Sequence, residues 1–245
     1  MMKRNKNSLL CLLLMLAGVY AGCNAPVTTE PHAETEKNDT GFNADGWTAE
    51  QVLPDELAAW QLLGDGKVAS VMGEQVSLEE TGQSKGVMLL SPRYYEGDVV
   101  VRYKALALSP ATVFVTVLSA KDQSGDQLTV PGNYDGTMGF WTSETRNYFF
   151  AFKNAPHGGT PFITKNPAAE KQANAPGQDG MIAGVYYDIE AGREGTKLWL
   201  SIDGKEVVNM VDDSLITGGH IAFRLRGTAG LPAIGLIKDL SIYTK

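Results

Sequence analysis

The chain has 245 residues, a formal charge of −7 and 43% hydrophobic residues. This length suits one all-β domain and is sufficient to bury a core without disulfide bonds. The acidic balance argues against a nucleic-acid partner, because phosphate backbones are bound by basic surfaces. An anionic ligand would need a local basic pocket, since the overall field of the protein repels it.

The N-terminus has the parts of an export signal. Residues 1–6 carry three basic side chains, and an almost wholly apolar stretch runs from Ser8 to Val19. That stretch is shorter than the roughly 20 residues that span a bilayer. The ending Ala21-Gly22-Cys23 resembles the bacterial lipobox. We therefore predict a lipoprotein signal peptide over residues 1–22, lipidation of Cys23 and anchoring to a membrane of the bacterial cell envelope through the lipid only, with plain secretion as the alternative.

Both cysteines fall in this N-terminal part, Cys11 within the leader and Cys23 at its end. The domain is therefore expected to contain no disulfide and no thiol chemistry. Residues 23–45 are polar and acidic. They have too little apolar surface to offset the entropy lost on ordering, which predicts a flexible tether. The folded domain is then expected over residues 46–245.

From Trp47 onward, short apolar stretches alternate with turn signals, which is typical of β-strands. Two short helices are expected, near Ala49–Ala58 and Asn166–Ala173, and the Gly- and Pro-rich region Asn154–Gly180 is expected to be a long functional loop. This pattern predicts an all-β fold, an antiparallel two-sheet sandwich or jelly roll. The expected strands are Ala59–Leu63, Lys67–Met72, Glu74–Glu79, Gly86–Leu90, Asp98–Leu106, Thr112–Leu118, Arg146–Lys153, Gly184–Ile189, Lys197–Ile202, Lys205–Val211, Gly219–Arg226 and Ile234–Tyr243.

Three stretches carry a resemblance to a known family: Tyr95–Val101 (YEGDVVV), Arg146–Phe152 (RNYFFAF) followed by Lys165-Asn166-Pro167, and the closing strands Lys197–Tyr243. They are similar to the YesU-type family, within the concanavalin A-like lectin/glucanase superfamily. The resemblance implies a concanavalin A-like jelly roll whose concave face holds a sugar chain. It also implies association with polysaccharide, of the pectin or uronate type, without implying a particular reaction.

The region Trp141–Lys165 is the main candidate site. Aromatic rings stack on sugar faces, and Arg or Lys can pair with a carboxylate. In a uronate lyase, Tyr148 or His157 would be the catalytic base near the C5 proton. The alternative is that Tyr148 packs in the core, because both faces of its strand are partly apolar. The expected ligand-binding residues here are Trp141, Arg146, Lys153, Lys165 and Asn166.

Arg224 and Arg226 lie on one face of the strand Gly219–Arg226, whereas Ile221, Phe223 and Leu225 lie on the other. We expect the three apolar residues to point into the core. The two arginines then form either the floor of a groove for an anionic sugar or a solvated outer face with weak ion pairs.

Asp188 and Glu190 resemble part of the E-x-D-x-E strand of laminarinase-type glycosidases. Tyr186 stands where the first Glu of that pattern would be. A retaining glycosidase needs both carboxylates, so an ordinary strand is the favoured interpretation. No cofactor and no metal are expected, since isolated histidines do not form a zinc site. A structural calcium ion at turns such as Asp203-Gly204 and Asp212-Asp213 is the alternative.

Three functions remain open from the sequence. The leading hypothesis is an envelope lipoprotein that binds or processes polysaccharide, acidic in type, as a polysaccharide lyase, a glycoside hydrolase or their accessory. The second is a non-catalytic glycan-binding module, and the third is a structural envelope protein without a sugar ligand. An enzyme requires Tyr148, His157 and Arg224 to meet in one groove. A binding module requires an exposed aromatic surface without a convergent base, and a structural protein requires a filled, apolar concave face.

Overall fold

The structure, a computed structural model, describes residues 42–153, 155–176 and 181–245. The predicted signal peptide, Cys23 and the tether up to residue 41 lie outside the described residues. No helix in the described part of the chain is long and apolar enough to cross a membrane. The strands are β1 (Thr48–Val52), β2 (Gln61–Leu63), β3 (Gly66–Val71), β4 (Gln75–Glu80), β5 (Val87–Tyr95), β6 (Val99–Ala107), β7 (Val113–Asp122), β8 (Thr145–Phe152), β9 (Phe162–Asn166), β10 (Lys171–Asn174), β11 (Tyr186–Glu194), β12 (Lys197–Ile202), β13 (Lys205–Val211), β14 (Gly219–Arg226) and β15 (Ile234–Thr244). The helical elements are α1 (Pro54–Ala58), a π-helical turn (Phe140–Glu144) and a 3-10 turn (Ala155–His157).

The strands form two antiparallel sheets. An eight-stranded sheet has the order β13-β12-β11-β6-β15-β4-β3, with β1 paired to β15. A seven-stranded sheet has the order β10-β9-β8-β7-β14-β5-β2. The prediction of an all-β, antiparallel two-sheet sandwich is therefore confirmed.

The main core lies between the sheets and follows from the alternation of side chains along each strand. In β14, Ile221, Phe223 and Leu225 are buried in this core, as expected. Phe223 packs edge-on against Tyr103 with ring centroids 4.9 Å apart and stacks on Trp60 at 5.7 Å. Each such ring contributes about 1.5–3 kcal/mol through burial alone.

Of the two predicted helices, one is present in part and the other is absent from the described part of the structure. Within Ala49–Ala58, the structure has strand β1 followed by the single-turn helix α1, whose first residue is Pro54. The predicted helix over Asn166–Ala173 is wrong, because this segment turns from β9 into β10. Ala168 and Ala169 have φ angles of 59° and 52°, which a right-handed helix excludes. The region Asn154–Gly180, which was expected to be a long loop, contains the hairpin formed by β9 and β10.

Residues 123–144, for which no strand or helix was predicted, cross the outer face of the seven-stranded sheet. We call this stretch the cover segment. Its apolar side chains pack on outward-facing residues of that sheet, including Met88, Val115, Val117 and Ala222, and form a second apolar cluster. The side chains that the cover segment contributes are Leu128, Val130, Tyr134, Met138, Phe140 and Trp141.

Close backbone contacts hold the cover segment against the sheet. Gly136 has a φ of 88° and lies so close to Gly86 that a Cβ atom at position 136 would collide with the Gly86 carbonyl oxygen. Gly86 approaches Gly64 in the same way. The side chain of Asp135 also pairs with Lys85, with 2.7 Å between Oδ2 and Nζ. The cover segment is therefore a packed part of the fold.

The described chain begins on the opposite side of the molecule. Phe42 contacts the rings of Trp47, Trp199 and Tyr243, with centroids 5.2, 6.2 and 5.4 Å away. The Arg102 guanidinium lies 4.7 Å from the centre of the Phe42 ring. Residues of β6, β12 and β15 supply these contacts on the outer face of the eight-stranded sheet. Phe42, which belongs to the segment 23–45 that was expected to be a tether, is therefore packed against the domain.

Candidate functional site

A pocket of about 700 Å³ lies on the outer face of the seven-stranded sheet, over strands β8–β10 and beside the cover segment. This volume is within the range of pockets that bind small molecules. Its lining combines aromatic, amide and hydroxyl side chains: Met138, Thr142, Ser143, Phe149, His157, Thr160, Phe162, Thr164, Asn166, Ala168, Ala169, Gln172, Asn174 and Pro176.

The register of the three strands builds the floor of this pocket. Thr164 of β9 lies between Phe149 of β8 and Gln172 of β10. Phe162, in the next row, lies opposite Asn174 of β10. Because cross-strand partners point to the same face, these side chains form one surface. Phe162 is half-buried and Asn174 is exposed, so both a ring and an amide are accessible there.

A chain of buried amides supports one end of the floor. The Asn147 Nδ2 group donates to the Trp141 carbonyl oxygen at 2.7 Å, and the Asn166 Nδ2 group donates to Asn147 Oδ1 at 2.9 Å. Asn166 lines the pocket and is only 1% exposed. Its Oδ1 atom has no hydrogen-bond donor among the described residues. A buried acceptor without a donor is costly, so a ligand hydroxyl that reached it would be stabilising.

Among the residues that the structure describes, the pocket lining contains no Asp, Glu, Lys or Arg side chain. Such a lining can stack an apolar sugar face on Phe162 and donate or accept hydrogen bonds through amides and hydroxyls. It offers no permanent cation to a carboxylate. The chemistry of the pocket therefore suits a polyhydroxylated, uncharged ligand.

Tyr148, a predicted catalytic residue, lies between the two sheets with no exposed surface. Its hydroxyl donates to Asp212 Oδ2 at 2.6 Å and accepts from the Ile216 amide at 2.9 Å. Burial, together with the hydrogen bond to Asp212, raises the pKa of Tyr148 well above its ordinary value. A buried, protonated hydroxyl with both roles engaged cannot act as a base for a polymer at the surface.

Lys165, a predicted ligand-binding residue, belongs to the same buried network. Its Nζ atom lies 3.1 Å from Asp212 Oδ2 and donates to the Ser214 carbonyl oxygen at 2.6 Å. Burial alone would raise the pKa of Asp212, but the hydrogen bonds from Tyr148, the Ser214 amide and Lys165 hold it below its ordinary value. Lys165 therefore neutralises a buried carboxylate and is not directed at a ligand.

Two further predicted ligand residues are also engaged internally. Trp141 is fully buried in the second apolar cluster, and its indole nitrogen donates to the Tyr134 hydroxyl at 2.7 Å. Lys153 is 8% exposed and its Nζ atom donates to the Pro110 carbonyl oxygen at 3.2 Å. Neither side chain lines the pocket.

The three predicted arginines do not form a common groove. Arg146 shares the inner face of β8 with Tyr148. It lies near Asp126, but the lowered pKa of Asp126 is caused mainly by Lys121 and only slightly by Arg146. Arg224 points outward, as expected, but the cover segment buries it to 2% exposure. Its Nη2 atom donates to the carbonyl oxygens of Lys85 and Gly136 at 2.8 and 3.0 Å. Arg226 is exposed and donates to the same Lys85 oxygen at 2.6 Å.

Two of the predicted site residues do meet in the pocket. Asn166 contributes to its floor, and His157, exposed on the 3-10 turn, contributes to its rim. Tyr148, His157 and Arg224 do not converge, because Tyr148 lies beneath the sheet and Arg224 lies under the cover segment. The arrangement required for a lyase of the expected kind is therefore not formed.

The carboxylates of the glycosidase-like strand lie on the opposite side of the molecule. Glu190 accepts hydrogen bonds from Arg102 Nε at 2.6 Å and from the Trp199 indole at 2.5 Å, on the outer face of the eight-stranded sheet. Asp188 pairs with Lys104 at 2.6 Å. Strand β11 continues through Gly192 to Glu194, five residues beyond the end of the predicted strand Gly184–Ile189. The described residues contain no group of three His, Cys, Asp or Glu side chains that could hold a metal ion.

Three accessible floor residues were not predicted from the sequence: the half-buried Phe162 and the exposed Gln172 and Asn174. A signal was present for Phe162, because Phe162, Thr164 and Asn166 alternate with Ile163 and Lys165 over five residues. The prediction of a long loop and a helix in this region concealed that pattern. Gln172 and Asn174 carried no such signal, since β10 is four residues long and polar.

Several solved structures are similar to this chain. A protein of unknown function with a galectin-like fold from Bacillus subtilis has a TM-score of 0.70 at 14% identity, covering 81% of this chain and 98% of its own. The exoplasmic/lumenal domain of VIP36, bound to Ca²⁺ and Man3GlcNAc, has a TM-score of 0.56 at 10% identity, with coverages of 80% and 88%. The carbohydrate-binding module CBM66 from Bacillus subtilis has a TM-score of 0.52 at 12% identity, with coverages of 75% and 94%. At these identities the similarities concern the fold, and they confirm the concanavalin A-like jelly roll.

No protein-family model matches the sequence. No curated protein matches it either.

Proposed function

We propose that this protein is a glycan-binding protein and that the pocket over β8–β10 is its sugar site. The observation that carries the proposal is the composition of the pocket: the half-buried ring of Phe162 beside exposed amides and the buried, unpartnered Asn166 Oδ1 atom. An aromatic ring binds the C–H face of a pyranose, and amides bind its hydroxyls. Two of the similar structures add support, since one is named as a carbohydrate-binding module and another is bound to Man3GlcNAc.

The proposal favours binding over catalysis. Among the described residues that line the pocket, no pair of carboxylates is present, and the base expected at Tyr148 is buried elsewhere. Glycoside hydrolysis ordinarily requires two carboxyl groups that flank the scissile bond. The binding module is therefore the favoured function, and a lyase or hydrolase is the alternative.

The pocket also favours a neutral sugar. The acidic polysaccharide that we expected from the sequence depended on cations, and Lys153, Lys165 and Arg224 are all engaged by internal partners. An uncharged pocket in an acidic protein gives a uronate chain no compensation for the overall repulsion. An acidic polymer is thus the second candidate in the binding test.

The cellular setting is part of the same proposal. The N-terminal sequence supports a lipid-anchored protein of the bacterial envelope that holds glycans near the cell surface. Membership of the YesU-type family is also proposed, supported by strands in all three of its stretches: β6, β8 and β12. A globomycin-sensitive shift in apparent mass and loss of that shift in Cys23→Ala would test the anchor.

The binding test is calorimetric titration of the purified protein with galactan, xylan, mannan and laminarin oligosaccharides, and with oligogalacturonates. We expect at least one neutral series to bind. Absorbance from new double bonds and the release of reducing ends should stay flat, and a rise in either would favour the enzyme instead. Absence of binding to every series would overturn the proposal.

Phe162→Ala should weaken that binding about tenfold, since the loss of an aromatic contact of about 1 kcal/mol or slightly more corresponds to a factor of this size. Tyr94→Ala is the matched control, because Tyr94 is also a half-buried aromatic residue but lies in a different pocket, near His220. Equal losses in both variants would contradict the assignment of the site.

A further inference from the structure

We infer that the pocket receives the terminal residue of a glycan chain and not the interior of a long polymer. This inference rests on the proposed function and adds the class of ligand. A residue inside a chain has neighbours on both sides, so its site needs two exits. The described lining of this pocket leaves one side open.

The cover segment closes the side toward β7. Met138 and Thr142 line the pocket there, and the neighbouring Phe140 and Trp141 are buried against the sheet. A sugar chain that continued across β7 would have to displace this apolar cluster. Such clusters are close-packed and do not yield to a ligand without a large cost.

Turns close the two ends of the strands. At one end, Ala168 and Ala169 line the pocket, and the Ala168 amide donates to the Thr142 carbonyl oxygen at 2.6 Å. That hydrogen bond joins the turn to the cover segment and closes the corner between them. At the other end, His157 and Thr160 form the rim, and the Thr160 amide donates to the His157 carbonyl oxygen at 3.2 Å.

The remaining side is the edge strand β10, which pairs only with β9 among the strands of the sheet. Gln172 and Asn174 on this strand are exposed and belong to the lining. A bound terminal sugar can therefore extend its chain outward over β10. The volume of about 700 Å³ is that of a small-molecule pocket and not of an extended groove.

The test uses whichever of the galactan, xylan, mannan or laminarin series binds in calorimetry. The parent polymer is compared with the same mass of its partial hydrolysate, and chain ends are counted chemically. We expect the number of proteins bound to rise in proportion to the number of chain ends. We also expect one protein per chain for short, intermediate and long oligosaccharides.

If binding capacity at constant mass is unchanged by hydrolysis, or several proteins bind along one long chain, the terminal-residue inference is overturned while glycan binding stands. If no series binds, the proposed function and this inference fail together. Phe162→Ala serves as the control for the site, because its loss of capacity must be the same for the polymer and the hydrolysate if both occupy the pocket.

Discussion

The outer face of the seven-stranded sheet has two halves, one covered by protein and one that lines the pocket. Over β7, β14, β5 and β2, the outward residues are mainly apolar, and the cover segment buries them. Over β9 and β10, the outward residues are hydroxyl and amide side chains around Phe162 that line the pocket, and those of β10 are exposed. The comparison indicates that the composition of an outward strand face follows its environment: apolar where the cover segment packs on it and polar where the pocket is open.

The same comparison explains why an outward-facing arginine in this fold does not by itself predict a binding site for an anionic ligand. Arg224 points outward from β14, where a cation would serve an anionic sugar well. The cover segment instead buries it against the Lys85 and Gly136 carbonyl oxygens. Burial lowers the pKa of Arg224, and its Nε atom has no acceptor within the described ranges.

The largest effect is expected in the covered half. Trp141→Ala should lower the free energy of unfolding by about 3–5 kcal/mol, because it empties a fully buried site in the second apolar cluster. Phe162→Ala, in the open half, should cost about 1 kcal/mol, since its ring is already partly exposed. Denaturant titration of both variants measures the difference. Equal costs would mean that the two halves are not distinct.

The network beneath the open half gives the next largest effect. Asp212→Asn should cost about 3 kcal/mol at neutral pH, since it leaves Lys165 buried without its main carboxylate. The pKa of Asp212 is held below 3.8, so its contribution is present above the unfolded-state pKa and is lost as the pH falls through the folded-state pKa.

Denaturant titrations across pH test this assignment. The wild-type protein should lose stability below the unfolded-state pKa, and Asp212→Asn should show a shallower decline there. The neighbouring Asp213 is exposed, so Asp213→Asn should change stability by at most about 0.5 kcal/mol at neutral pH. An acid profile that is identical in wild type and Asp212→Asn would exclude this carboxylate as a source of acid sensitivity.

A smaller loss is expected where the cover segment meets the sheet. Gly136→Ala should destabilise the protein by about 1–3 kcal/mol, because residue 136 has a positive φ and its Cβ atom would collide with the Gly86 carbonyl oxygen. Gly132→Ala is the matched control in the same segment, since nothing lies within 4 Å of a Cβ atom there. Thermal unfolding of the two variants should separate them clearly, and similar midpoints would contradict the packed character of the cover segment.

The smallest effect concerns the rim of the open half. Asn174→Ala should weaken binding of the neutral oligosaccharide about three- to tenfold, since it removes about one hydrogen bond of 0.5–1.5 kcal/mol. Its stability should be unchanged, because Asn174 is exposed. Lys171→Ala, on the opposite face of β10, is the control for binding. If Lys171→Ala lowers the affinity for the oligosaccharide as much as Asn174→Ala does, the Asn174 amide is not part of the binding site.

The strands were largely predictable because their alternation depends on local sequence. The limits of β12, β13 and β14 agree with the predicted stretches, and Phe223 faces the core as its pattern required. The site was predictable only in part. Asn166 and His157 reach the pocket, whereas the position of Tyr148 on the inner face depended on which side of β8 meets the other sheet.

The cover segment could not be predicted from local patterns. It has no strand alternation, and its contacts with Met88, Val115 and Ala222 join residues far apart in sequence. Those contacts decide that Trp141 and Arg224 are buried. The strand pattern placed Arg224 on the outward face correctly, but it contained no information on which segment would cover that face.

The packing of Phe42 has a practical consequence. Because Phe42 packs among Trp47, Trp199 and Tyr243, on the outer face of the eight-stranded sheet, the first described residue is on the far side from the proposed sugar pocket. A sensor chip or bead coupled at Phe42 would therefore hold the domain with that pocket toward the solution. Coupling through Lys171 at the edge strand would bring the support next to the opening.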